Sequence, residues 1–486
     1  MAHRLPPDLW AQIASYLEED RPSLAKCARV CRQWKPVFER LIYRKVKVES
    51  EEFQPKDGFI SLSRFKTLAT ELRYAFVLEG YSEENAIRDA NNEAFQAGIS
   101  SLFEFLRSWK DDAKITLTLE VQGRVRTLEP ETEANDNAKE WQGELRGERV
   151  VGPYRAQFAD GDALMLAQVT CVNDLLVQYP YRPQRISPGG SLQIAEHCVA
   201  LRRLHFDMPG QLRPDHVEYM RERREALASG LSRLPSALQV FECMGSSEHP
   251  WSNTLPALDL RSANKIDVLS SSLRLFSRNL RELRLSNMSV DMDFLFPLDE
   301  RGNPLPETSS LHWPRLETIA LDGIPENIPS GEWLFDYELS PGDEDDIPDP
   351  ATGDKISESR WLREQYEISR EKMKPEHLHR AFISLGYASR QMPVLKLLSF
   401  DLASSLRTVL TFTTSPGVID LGPSCTPPSS TRPLLHFRSD SGYRPDRRVA
   451  DAWAFALDAM EVVDEGPKED YHLVVCSVTL DRPRLD

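Results

Sequence analysis

The side chains best able to do chemistry in this 486-residue chain are scattered, and none completes a reactive spacing. His377 and His379 are two apart, so on a helix they point to different faces and are poorly placed to share a metal. His197 and Cys198 are adjacent and meet the same difficulty. There is no C-x-x-C pair to build a zinc site. Cys27 and Cys31, four apart on one helical face, can in principle bind a metal or oxidise. Packing is the better reading, because free cysteine is among the most buried residue types. Neither a Gly-x-Ser-x-Gly elbow nor a Gly-x-x-x-x-Gly-Lys phosphate loop occurs. Gly189-Gly190 follows Pro188 and reads as a turn at a helix entry. The chain holds 75 Asp and Glu residues, so chance carboxylate pairs are inevitable, and none carries a motif. The stretch Arg221 to Arg224 sits beside Glu222 and Glu225, as expected of an exposed helix with intrahelical ion pairs. No catalytic residue, metal ligand or cofactor-binding residue is therefore expected, and the chain is not expected to be an enzyme.

Composition narrows the class further. A hydrophobic content of 41% and a charged content of 28% fit a globular fold. The formal charge of −16 argues against nucleic acid, whose phosphates need clustered Lys and Arg, and against an anionic membrane surface. No apolar run approaches bilayer length, and the N-terminus lacks the apolar stretch of a secretion signal. Seven cysteines, an odd and mostly scattered set, point to free thiols in a reducing compartment, cytoplasm or nucleus.

The elements that could present a functional surface begin at the N-terminus. Leu9, Ile13, Tyr16 and Leu17 fall three and four apart on one helical face, after Pro6-Pro7-Asp8 at the helix start. Leu24, Cys27, Ala28 and Cys31 repeat the spacing, and Trp34, Val37, Phe38, Leu41 and Ile42 repeat it again. Pro36 is tolerable only in the first turn of that third helix. Val46 and Val48 then alternate with Lys45 and Lys47 as in a strand. So short a segment cannot bury all of these apolar groups within itself, so some must meet a partner or the rest of the chain.

Leu5-Pro6, Asp8-Leu9, Ile13, Tyr16-Leu17, Leu24, Val30-Cys31, Trp34 and Tyr43 together resemble an F-box. Asp8 stands where that family usually has Glu, and Tyr43 where a closing Trp is common; both keep the chemical character. The resemblance implies a three-helix domain over residues 1–48 that binds the Skp-type adaptor of cullin–RING ubiquitin ligases. The positions it carries over are Leu5, Pro6, Leu9, Ile13, Leu17, Val30, Cys31 and Trp34. Leu5-Pro6 and the exposed side of the first helix are the best candidates for adaptor contact, and Cys27 and Cys31 become packing residues.

Residues 49–486 alternate short apolar strands with amphipathic helices, which suggests a parallel sheet covered by helices, an α/β class. Phe95, Ile99, Leu102, Phe103 and Leu106 form one helical face, and Ile115 to Leu119 alternates as a strand. An L-x-x-L-x-L pattern then recurs at Leu201, Leu204 and Phe206, and at Leu238, Phe241 and Cys243. It returns at Leu280, Leu283 and Leu285, at Leu316, Ile319 and Leu321, and at Leu395, Leu398 and Phe400. Pro235, Pro314 and Pro393 stop the chain before three of these strands. The five sets resemble leucine-rich repeats, which implies an irregular strand–helix solenoid. The family's Asn is absent, and the spacings of 37, 42, 36 and 79 exceed the usual repeat of about 20 to 29 residues. The plainer alternative is an ordinary α/β domain whose buried strands share a spacing.

Segments 129–147, 297–314, 340–359 and 421–446 are polar or rich in Pro, Ser and Gly, and read as loops. Ala450, Trp453, Ala454 and Leu457 share a helical face, and Leu473 to Leu480 reads as a terminal strand that would cap an open solenoid end. By the stretch from Asn91 through Trp109 and the segment Gln391-Met-Pro-Val-Leu395, the region after residue 48 resembles the long segment that follows the F-box in many proteins of filamentous fungi. The whole is expected to be the substrate receptor of an SCF-type (Skp–cullin–F-box) ubiquitin ligase, holding the adaptor, and through it a cullin, at one end and a target protein at the other. An adaptor-binding assembly protein without a ubiquitination role is the alternative.

Overall fold

Apolar residues two apart mark the strands of this chain, and in the computed structural model those doublets stack in register. The structure describes residues 21–30, 34–52, 66–78, 85–109, 112–123, 155–158, 166–177, 186–207, 217–245, 257–337, 370–403, 407–414, 432–467 and 472–480, with Leu9, Gln12, Tyr16 and Arg32 singly. The chain divides into two compact units, Met1–Phe206 and Asp207–Asp486.

The first unit opens with helices α1 (Arg21–Ala28) and α2 (Lys35–Ile42), followed by strand β1 (Lys45–Glu49). β1 pairs in parallel with β2 (Glu71–Leu78), β2 with β3 (Ile115–Gly123), β3 with β4 (Val172–Val177), and β4 with β5 (Arg203–Asp207). The expected boundary after residue 48 thus falls inside β1. Leu72, Leu117, Leu175 and Leu204 are cross-strand neighbours, as are Tyr74, Leu119, Val177 and Phe206, and all eight are buried. Arg73, Thr118 and His205 alternate with them on β2, β3 and β5, and Leu176 takes the same place on β4.

Helix α3 (Asn85–Arg107) lies between β2 and β3 in the chain, and its face of Phe95, Ile99, Leu102, Phe103 and Leu106 is buried as expected. Phe95 meets Phe76 with ring centroids 4.8 Å apart. The Tyr74 hydroxyl donates to the Gly98 carbonyl at 3.2 Å, so the helix backbone lies close on the sheet. Helix α4 (Pro188–Glu196) starts as the Pro-Gly-Gly run suggests: Ser187 caps it, its side chain accepting from the Gly190 N–H at 3.0 Å.

In the second unit, α5 (Val217–Leu231) leads to β6 (Val240–Met244) and α6 (Val268–Ser277) to β7 (Glu282–Ser286). A 3-10 turn at Pro306–Ser310 precedes β8 (Thr318–Ile324). Short pairs β9 (Asn327–Ile328) with β10 (Glu332–Trp333), and β11 (Phe335–Tyr337) with β12 (Arg370–Met373), come before α7 (Pro375–Arg390) and β13 (Leu397–Leu402). β6, β7, β8 and β13 pair in parallel in that order. Phe241, Leu283, Ile319 and Leu398 stack across them, as do Cys243, Leu285, Leu321 and Phe400. The first Leu of each of the five sets is buried where its strand begins.

The sheet then changes sense, which the expectation of a parallel sheet did not include. β13, β14 (Thr408–Thr413), β15 (Leu434–Ser439), β17 (His472–Thr479) and β16 (Glu461–Pro467) pair antiparallel in that order. Helix α8 (Arg447–Trp453) joins β15 to this end. It stops at Ala454, which adopts a left-handed conformation (φ 60°), so Leu457 does not continue its face as the spacing suggested.

Two segments read as loops hold structure. Residues 297–314 are fixed by a bridge between Leu298 and Pro304, by the 3-10 turn, and by buried Leu311 and Trp313. Arg380 on α7 donates to the carbonyls of Asp299 at 2.8 Å and Leu298 at 2.6 Å, and the Trp313 indole donates to Ser277 Oγ at 2.8 Å. Tertiary hydrogen bonds therefore override a loop-like composition. In 421–446, the run Leu434–Ser439 is the central strand β15, its apolar residues diluted in sequence by flanking Pro and Ser. The segments 129–147 and 340–359 lie outside the described residues.

Candidate functional site

The N-terminal helices and their mounting form the candidate site. Leu24 on α1 and Phe38 on α2 are the fully buried centre. Cys27, Ala28, Trp34, Val37, Leu41 and Ile42 pack around them. Pro36 sits in the first turn of α2, where its missing N–H costs nothing. Trp34 precedes that helix and stacks on Phe38, with centroids 5.5 Å apart and planes 25° from parallel. The α2 backbone ends at Tyr43, whose N–H reaches the Glu39 carbonyl at 2.9 Å.

This helix pair is mounted on the sheet through two residues. The Arg44 carbonyl accepts from the N–H groups of Thr70 and Glu71, at 2.9 and 3.0 Å, and β1 then pairs with β2. Lys45 adds a salt bridge to Glu71 at 3.2 Å. That pair is exposed and adds little stability, but it fits the register set by the backbone.

The residues singled out from the sequence separate by exposure. Leu9 is 42% exposed and Val30 61% exposed, so both present apolar surface to solvent. Trp34 is half-buried and belongs to the Leu24–Phe38 cluster. Tyr16, which shares the Leu9 face by spacing, is 90% exposed. Leu5, Pro6, Ile13, Leu17 and Cys31 lie outside the described residues. The family resemblance names Trp34 together with Leu9 and Val30; the structure puts Trp34 in the packed cluster, with the Val37, Phe38, Leu41 and Ile42 of its helical spacing, and the other two on the surface.

Elsewhere the polar groups are occupied structurally. The His377 ring nitrogen lies 3.3 Å from Glu332, and burial lowers its pKa. His379 belongs to a different group, where Arg448 makes a bidentate pair with Glu376 at 2.7 and 2.8 Å and contacts Asp446 at 2.7 Å. His197 Nδ1 lies 2.9 Å from the Gln193 carbonyl, and the neighbouring Cys198 thiol donates to the Ile194 carbonyl at 3.6 Å. Burial pushes the Cys171 and Cys476 thiols up to about 11, and Cys198 higher, so these thiols stay protonated near neutral pH and are poor nucleophiles. Among the described residues no three His, Cys, Asp or Glu side chains gather as a metal site. Among those residues, too, no helix is long and apolar enough to cross a membrane.

One expectation is overturned here. Arg221 and Arg224 do not form the exposed, intrahelically paired face suggested by their neighbours. Arg224 is 2% exposed and pairs with buried Asp267 at 2.7 Å, while Arg221 donates twice to the Asp259 carbonyl, at 3.1 and 2.7 Å. Only Glu222 and Glu225 of that stretch face solvent. The cause is helical spacing: Arg224 shares a buried face with Met220, Leu227 and Leu231.

No curated protein matches the chain. Residues 2–48 match the family model described as F-box-like, which spans both helices and all but the last residue of β1. This chain thus carries an F-box-like domain at its N-terminus, the kind of domain that typically binds Skp-type adaptors.

Proposed function

We propose that the chain is the substrate-receptor subunit of an SCF-type ubiquitin ligase. The F-box-like match at residues 2–48 carries this reading, because that segment also leaves Leu9, Tyr16 and Val30 exposed beside a packed helix pair. In this account Leu5, Pro6, Leu9, Ile13, Leu17, Val30, Cys31 and Trp34 supply adaptor contact and the packing beneath it. The adaptor brings a cullin, and the remainder of the chain holds a target protein. We read that remainder as an irregular leucine-rich-repeat-like array. The support is the stacking of equivalent positions of the L-x-x-L-x-L sets, Phe241, Leu283, Ile319 and Leu398, across neighbouring parallel strands.

The chain's role in ubiquitin transfer is then positional. Tethering a target raises the effective concentration of its lysines near the ubiquitin-charged enzyme, and no residue of this chain need act as acid, base or nucleophile. Free thiols fit a reducing compartment, cytoplasm or nucleus. The test is capture of the tagged chain from cells, with Leu5→Ala/Pro6→Ala as control, scored for the Skp-type adaptor and for a cullin. Recovery of both, lost in the double variant, is expected. Adaptor without cullin would replace the ligase reading by an assembly role, and recovery of neither would overturn adaptor binding.

A further inference from the structure

β16 is the outermost strand of the second unit's sheet: β17 pairs with one side of it, and none of the described residues pairs with the other. An edge strand offers unpaired backbone N–H and C=O groups to any extended chain that reaches it, and proteins usually blunt such edges with charge, bulges or proline. Here the bulge and the proline are confined to the C-terminal half. The register shifts between Asp464 and Pro467, Gly466 has φ +74°, and Pro467 has no N–H to offer. Asp464 accepts from the Gly466 N–H at 2.8 Å, lies 2.7 Å from His472 Nε2, and also contacts Arg444.

The N-terminal half, Glu461–Val463, has no bulge and no proline. Its valines are open to solvent, Val462 at 42% and Val463 at 55%, and Leu457 in the preceding 3-10 turn is 41% exposed. Three of the large exposed hydrophobic side chains thus fall within seven consecutive positions, beside unpaired backbone. The stretch is also of one sign: residues 456–467 contain Asp458, Glu461, Asp464 and Glu465 and no Lys or Arg.

We propose that this edge takes an extended, basic segment of a partner protein as an added strand. Main-chain hydrogen bonds to β16 would supply affinity, and side-chain pairing would supply selectivity. Glu461 and Val463 align with Ser477 and Val475 of β17 on one face, while Val462 aligns with Cys476 on the other. The complement is therefore an apolar pair flanked by Lys or Arg, with the apolar residues over Val462 and Val463. Under the receptor reading above, on which this identification of the occupant as a target rests, the segment is the part of the target that the chain grips.

The probe is a labelled peptide carrying Lys-Val-Val-Lys-Lys, compared with one carrying Glu-Val-Val-Glu-Glu, on the full chain. Fluorescence anisotropy should give saturable binding of the basic peptide that weakens as salt is raised. The acidic peptide, and the basic peptide on a Glu461→Lys/Val463→Lys variant, should bind at least about tenfold more weakly, because like charges then face each other. Hydrogen exchange on the unaltered chain should slow at β16 when the basic peptide is bound, which makes the test independent of how the variant folds. No saturable binding, equal binding of both peptides, or slowed exchange only outside β16 would overturn the proposal. Adaptor capture scored on the same preparation separates this result from the receptor reading, since it depends on the N-terminal helices alone.

Discussion

Asp291 shows how far a single residue here departs from what the sequence displays. In sequence it is one of 75 acids; in the structure, burial pushes its carboxyl up to about 7, with Asp267 and Asp293 adding to the rise and Arg224 and Arg261 opposing it. The native state therefore holds a proton that the unfolded state releases at the ordinary value of 3.8. Between those values the native state binds more protons, so this residue's contribution to stability falls as pH rises from about 4 to about 7. Asp291→Asn, neutral at every pH, should melt at a higher temperature than the unaltered chain at pH 8, with the difference vanishing toward pH 4. Parallel melting profiles across that range would contradict the assignment. The same gap between list and place explains Arg224: its type suggested surface, and only the helical register with Met220 and Leu227 could have hinted at burial. Leu9 and Val30 give the opposite case. Their spacing matched a family whose apolar side chains divide between core and partner, and spacing does not say which is which; exposure does.

Among the elements, helices α5 and α6 are tied by charge as well as by apolar contact. Arg224 on α5 donates to both oxygens of Asp267, at 3.3 and 2.7 Å, and to the Ser289 carbonyl at 2.9 Å. Asp267 is also the cap of α6, accepting from the Ser270 N–H at 3.1 Å. Removing the guanidinium leaves a buried carboxylate with only its capping bonds. Arg224→Ala should accordingly cost about 3–5 kcal/mol in denaturant-induced unfolding. Replacing both partners by Arg224→Met/Asp267→Asn should cost less than the single change, and a single-variant loss below about 1 kcal/mol would sink this account of the pair. Elements were the most legible scale in the sequence. The apolar face of α3, the Pro-Gly-Gly entry to α4 and the five strands opened by a Leu all follow from periodicity and turn chemistry. β2, β3 and β4 escaped the repeat template because Ala69, Lys114 and Val172 occupy the place of the opening Leu, although Leu72, Leu117 and Leu175 are buried just as in the later strands. β15 escaped because six strand residues were embedded in Pro- and Ser-rich sequence, and only pairing with β14 and β17 makes them a strand.

At the scale of the whole molecule, the chain combines a small helix pair, beside which Leu9, Tyr16 and Val30 are exposed, with much longer strand–helix stretches that hold most of the buried apolar residues. The order of these parts was readable, because the N-terminal spacing is dense and the later apolar doublets are regular. The change from parallel to antiparallel pairing after β13 was not readable, since alternation of buried and exposed residues is the same in either sense. Arg44 and β1 join the helix pair to the first unit's sheet through backbone hydrogen bonds. The central claim is that the exposed N-terminal apolar groups dock the adaptor. The most direct test is titration calorimetry of the purified chain with a purified Skp-type adaptor, run beside a Leu9→Asp/Val30→Asp variant whose unfolding is measured in parallel. The account expects a saturable one-to-one complex that the variant loses while its unfolding stays unchanged. A chain that fails to bind the adaptor, or a folded variant that binds it equally well, would contradict it.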